Sequence, residues 1–206
     1  MLFVWLSMRE PNMSTWSAKL AAVVASCVFA ASAAHAVPIT FSFSLTGANE
    51  NPPVSPAGTG HATIVVDPDP AVLTISLNIS FSGLTSNDTA AHIHCCVALG
   101  GNTGVATAVP AFPGFPLGVT SGTYQHTFSL LDSAFYNPAF VSANGGSVAT
   151  AEPVFLAGLL NGRTYLNIHT MNNPGGEIRG FIVPEPATLA LLGLGLFGLA
   201  LARRRQ

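Results

Sequence analysis

Charge is scarce in this sequence. Of 206 residues, seven are Lys or Arg and nine Asp or Glu, together 8% of the chain, against about a quarter in soluble domains. So few cations exclude a nucleic-acid binder, because neutralising phosphates takes clustered Lys and Arg. A net charge of -2 gives no strong field to steer a charged partner. Hydrophobic residues at 49% exclude a disordered chain, which needs low hydrophobicity and high charge. Helical periodicity is scarce between the two ends. Common enzyme motifs are missing too: there is no G-x-S-x-G elbow, no H-E-x-x-H and no P-loop. The expectation is a non-enzyme of one domain.

The apolar surplus sits largely at the ends. Lys19 precedes an apolar run from Leu20 to Ala31, followed by Ala34-His35-Ala36. A basic start, a short apolar run and an A-x-A site make a secretory signal peptide. Signal peptidase is expected to cut after Ala36, with residues 1–36 removed. Met13 would give that peptide an ordinary length, which makes residues 1–12 an over-extended start.

At the other end, Pro184-Glu185-Pro186 leads into an apolar stretch and then Arg203-Arg204-Arg205. The stretch is near the lower limit for a membrane helix, and the arginines place its end in the cytoplasm. Residues 184–206 resemble a PEP-CTERM sorting signal, which is a Pro-Glu-Pro motif, a short apolar helix and a basic end in that order. The resemblance implies a Gram-negative bacterium that makes exopolysaccharide. It also implies an exosortase, a membrane-embedded cysteine protease, as processing partner. The expected route is export, transient anchoring in the inner membrane, then release to the cell surface or the extracellular polymer matrix of a biofilm.

Residues 37–183 form the expected domain. Arg163 and Arg179 are its only cations, against seven acids, so it is mildly acidic at -5. Alternation of apolar and polar residues is clear over 73–81 and 41–45, which marks half-buried antiparallel strands. Residues 62–66 and 123–130 are further strands. Serine and threonine supply the outward face in place of charges. Two short helices are expected. One follows Pro153 and is capped by Asn161-Gly162, a reading favoured over a hairpin turn at the same Asn-Gly; the other is a turn over 133–136 capped by Asp132. The fold expected is all-β, an antiparallel sandwich of immunoglobulin-like or Greek-key type.

Three motifs follow in order: Leu45-Thr46-Gly47-Ala48-Asn49-Glu50-Asn51-Pro52-Pro53, Ala91-His92-Ile93-His94, and Tyr165-Leu166-Asn167-Ile168-His169-Thr170 running into Pro174-Gly175-Gly176-Glu177-Ile178-Arg179-Gly180. Over about residues 40–183 the chain resembles the CHRD domain. In animals that domain occurs in chordin, an extracellular growth-factor antagonist, a role that does not carry over to a bacterium. In bacteria the resemblance implies a secreted protein with no generally assigned activity.

His92 and His94 are two apart, so a strand projects both from one face. Tyr165, Asn167 and His169 share a face in the same way. A hairpin closed by residues 170–176 sets Asn167 opposite Arg179, Ile168 opposite Ile178 and His169 opposite Glu177. His92, His94 and His169 form a three-histidine copper or zinc site if their strands are neighbours, with Glu177 as a carboxylate orienting one imidazole. The alternative is three histidines on an exposed strand face. Cys95 and Cys96 follow His94 directly. In an oxidising compartment they form a tight ring with each other, bridge to another chain, act as thiolates beside the histidines, or stay a plain buried thiol pair. Two functions stand side by side: a structural or binding module of the envelope, and a metal-binding or redox protein. The His-x-His pair is similar to that of copper/zinc superoxide dismutases by analogy alone.

Overall fold

A computed structural model describes residues 37–184. The expected signal peptide, including Ala34 and Ala36, lies outside the described residues, as do Glu185, Pro186 and Arg203 to Arg205. Among the described residues no helix is long and apolar enough to cross a membrane.

Alternation builds the first strands. β1 (Ile39–Thr46), β2 (Thr59–Asp67) and β3 (Thr74–Ser82) pair antiparallel in sequence order. Six of their apolar residues, Phe41, Leu45, Ile64, Ile75, Leu77 and Ile79, are buried to within 1% exposure. β5 (Gly122–Ser129) extends this group beyond β3. The remaining strands are β4 (Asp88–Cys95), β6 (Thr164–Thr170) and β7 (Ile178–Ile182). All seven form one antiparallel sheet in the order β4-β6-β7-β1-β2-β3-β5. The junction of its two parts is narrow: β1 meets β7 through the single pair Thr46 and Arg179. The sheet curls so that both parts contribute to one apolar core, with Ile93, Leu166, Ile168 and Ile178 from one side and Phe41, Ile64 and Leu77 from the other. The all-β antiparallel expectation is met by one curled sheet.

The Asn167–Arg179 and Ile168–Ile178 pairs occur as the hairpin register requires. Asp132 caps a 3-10 turn at Ser133–Phe135 by accepting from the Ala134 N–H. A short helix unforeseen in the sequence, α1 (Pro138–Ala143), starts from Asn137, whose side chain accepts from the Ala139 N–H. Its signal was legible, since Asn followed by Pro is an N-cap and N1 pair.

α2 (Val148–Leu160) starts earlier than its proline suggests. Ser147 and Thr150 form a reciprocal capping box, which satisfies the first free N–H groups before Pro153 is reached. Pro153 therefore sits inside the helix, where it leaves the Ala149 carbonyl without its usual partner. The C-terminal end is as expected: Asn161 caps it and Gly162 turns away at φ 65°, a left-handed conformation suited to glycine. Phe155 and Leu159 carry the helix onto the core at 0% exposure.

Candidate metal centre

β4 and β6 are adjacent and antiparallel, with His92 opposite Asn167, His94 opposite Tyr165, and Ala90 opposite His169. Strand alternation sends Ala91, Ile93, Leu166 and Ile168 into the core. The three histidines go to the other face. That face is not open to solvent: His92, His94 and His169 are only 6%, 7% and 8% exposed. Residues 97–118 run along the free edge of β4, where the Ala106 N–H bonds the Ile93 carbonyl and the Phe112 N–H bonds the Ala91 carbonyl. This irregular segment protects an edge that would otherwise invite pairing with another chain, and it helps to roof the histidines.

The imidazoles converge. Ring centroids lie 4.8 Å apart for His92 and His94, 4.6 Å for His92 and His169, and 5.9 Å for His94 and His169. One nitrogen from each ring falls within 4.8 Å of the others. Each Nδ1 meets a backbone carbonyl, Pro110 for His92 at 3.1 Å, Thr103 for His94 at 2.7 Å and Pro174 for His169 at 2.9 Å. A carbonyl oxygen only accepts, so each Nδ1 carries the proton and each Nε2 presents its lone pair. All three Nε2 atoms are buried and have no hydrogen-bond partner. Burial holds the rings neutral. It lowers His92 to about 3 with help from His169 and His94, lowers His94 to about 4, and lowers His169 as well. At neutral pH no proton competes for the three lone pairs.

Around this cluster lies a polar shell. Tyr165 stacks on His94 at 4.5 Å, and the Arg179 guanidinium sits 4.8 Å from the Tyr165 ring centre. Arg179 is 1% exposed. It donates to the carbonyls of Asn49 and Gly101 and to Asn102 Oδ1, tying the 45–53 and 97–118 loops over the site. Glu50 Oε2 lies 3.6 Å from Arg179 Nε. Burial raises the Glu50 carboxyl to about 7, with Arg179 pulling the other way. The three motifs of the sequence thus meet at one place.

Glu177 does something different from what its register suggests. Its carboxylate accepts from the Gly58 N–H, the Thr85 N–H and hydroxyl, the Thr170 hydroxyl and Asn173 Nδ2, at 2.7–3.1 Å. Those donors outweigh the effect of its burial and hold it below the usual carboxylate range. Its hydrogen bonds go to loops and to Thr170 at the end of β6, and backbone carbonyls orient the imidazoles instead. Glu177 supports His169 at one remove, by bracing the hairpin loop that carries Pro174.

The cysteines also part from the histidines. Cys95 and Cys96 are joined by a disulfide that lies against α2, where a methyl group on Gly158 would come 2.5 Å from Cys96 Sγ and 2.6 Å from Cys95 Sγ. Cys95 has the parity of Ile93 and faces the core, away from the face that carries His92 and His94. His61 and His126 lie elsewhere: His61 Nε2 meets Ser42 Oγ at 3.1 Å, and His126 packs against Phe128. Sequence reasoning missed Glu50 as the partner of Arg179. It also missed the three carbonyls, which as backbone groups carry no residue signature.

Comparison with known proteins agrees with the motifs. The CHRD domain matches residues 41–182, and the PEP-CTERM protein-sorting motif matches residues 183–205. No curated protein and no solved structure matches the chain. The sorting motif makes this an exported protein, anchored in the membrane before an exosortase processes it. With its family match covering well over half its length, the chain belongs to the CHRD domain family.

Proposed function

We propose that the exported domain is a non-catalytic metal-binding module, holding copper or zinc on the Nε2 atoms of His92, His94 and His169. One observation carries this reading: three buried, unpartnered Nε2 lone pairs converge, and each opposite Nδ1 is fixed by a backbone carbonyl. Leaving three polar atoms buried and unbonded costs on the order of 1–3 kcal/mol each, which a metal would repay. The carbonyls are the usual outer partners of metal-bound imidazole and set the tautomer. Imidazole nitrogen suits zinc and copper over magnesium or calcium, which prefer oxygen. Signal-peptidase cleavage after Ala36 and residence in an exopolysaccharide matrix complete the proposal. They place the module where metal ions arrive from outside the cell.

The test is metal stoichiometry. The full-length chain, purified in detergent and exposed to zinc or copper, should retain a single ion after desalting, and its melting temperature should rise. His92→Ala/His94→Ala should lose that ion, whereas His61→Ala and His126→Ala should keep it. A chain that stays metal-free, with unchanged melting in either salt, overturns the reading.

A further inference from the structure

We propose that the fourth coordination position of this metal is held by an exchangeable small anion, hydroxide at rest, which Arg179 retains. The proposal rests on the three-histidine reading and adds the class of ligand the centre takes.

Ligand count comes first. Zinc and copper(II) sites need more than three donors, and no fourth protein donor is at hand. Among the described residues, the cluster able to hold a metal contains only His92, His94 and His169. The Glu177 carboxylate is taken up by five donors, four from loops and the Thr170 hydroxyl from the end of β6. Glu50 turns Oε2 toward Arg179, and its buried, unpartnered Oε1 lies outside that cluster; the cysteine sulfurs lie against α2.

Charge comes second. Three neutral imidazoles cancel none of a divalent ion's charge. Arg179, at 1% exposure, adds another positive charge, and Glu50 is the one carboxylate beside it. Arg179 stands close to the cluster: the Tyr165 ring that stacks on His94 at 4.5 Å carries the guanidinium 4.8 Å from its own centre. An excess of buried positive charge calls for a compensating anion.

Unpartnered polar atoms give the third, independent observation. Arg179 Nη2 and Asn167 Oδ1 are both buried without hydrogen-bond partners. The register places Asn167 directly opposite His92 on one side and Arg179 on the other. A free donor and a free acceptor therefore stand in the same cross-strand row as a metal ligand. Hydroxide can accept from Nη2 and donate to Oδ1, which satisfies both. The same burial that hides the Nε2 atoms limits any exchanging ligand to a few atoms.

Azide is the probe. The full-length protein in detergent, loaded with copper(II), is titrated with sodium azide, and the azide-to-copper charge-transfer absorption is followed. The native chain should give a saturable band. Arg179→Gln should weaken azide binding about tenfold or more, and Glu50→Gln, which removes the competing negative charge, should tighten it. Because Arg179 is buried and its replacement can disturb folding, Asn167→Ala serves as a second variant. It should retain copper and the native circular dichroism, yet bind azide more tightly, because the hydroxide that azide displaces loses its Oδ1 acceptor while azide has no proton to donate. Copper bound without any azide band overturns the anion proposal. So does an azide affinity the same in Asn167→Ala and Glu50→Gln as in the native chain. Failure to bind copper at all sinks the three-histidine reading first and this proposal with it.

Discussion

Two cross-strand rows of the same sheet behave in opposite ways. In the β1-β2-β3-β5 part, Ser42, Thr63, Asn78 and Gln125 stand side by side in register. They face outward, and three of them are exposed. In the β4-β6-β7 part, the matching row is His92, Asn167 and Arg179, and none of them exceeds 6% exposure. Both rows are polar. The first keeps its hydrogen bonds with water and needs no special partners. The second is roofed by loops, so each polar atom there must find a protein partner or a ligand. That contrast is why three unpartnered imidazole nitrogens carry meaning at this face, while a free hydroxyl on the other face carries none.

The contrast can be strained hardest at Glu177. Glu177→Ala should strand the donors that now converge on its carboxylate, at a cost of about 1–3 kcal/mol for each one left buried and unbonded. Chemical denaturation should show this as a lower midpoint. A loss below about 1 kcal/mol would mean that the roofed region tolerates vacancies as the open face does.

Acid should be the next strongest perturbation of the metal-free chain. His92, His94 and His169 are all lowered on folding, so below their ordinary value the unfolded state binds more protons than the folded one. Stability is then full above about pH 6.5 and falls as pH drops toward the folded values. Glu50, raised to about 7, acts in the opposite sense across that window, as do the raised Asp88 and Glu152. Comparison with His92→Asn/His94→Asn cancels those carboxylates. The native chain should lose more melting temperature than this variant between pH 6.5 and 5. Parallel curves would contradict neutral, buried imidazoles.

How much of this was readable beforehand follows the same division. The four-strand part follows strict alternation, as in residues 73–81, because one face is apolar and the other wet. Period two is all that such a strand needs. In β6 every residue is buried, so alternation still gave the facing of Leu166 and Ile168 but not the burial of Asn167 and His169. That burial depends on loops 45–53 and 97–118 folding back, a long-range event with no local pattern. The register of Asn167 with Arg179 was legible from matching polar and apolar residues. The carbonyls of Thr103, Pro110 and Pro174 were not. The early start of α2 lay in Ser147 and Thr150, and Pro153 drew attention away from it.

Smaller effects test the borders. Gly158→Ala should press a methyl group onto Cys95 and Cys96 and cost about 1–3 kcal/mol, read as a drop in melting temperature. Asn78→Ala, at the centre of the exposed row, should change stability by less than about 0.5 kcal/mol. A larger change there would show that the open face is itself held by its polar contacts.

X-ray absorption at the metal edge tests the centre most directly. The zinc- or copper-loaded full-length chain should show three imidazole nitrogens at about 2.0 Å, one further light atom and no sulfur. The three-nitrogen signal should disappear in His92→Ala/His94→Ala. A sulfur shell, or fewer than three imidazoles in the native chain, would contradict the account.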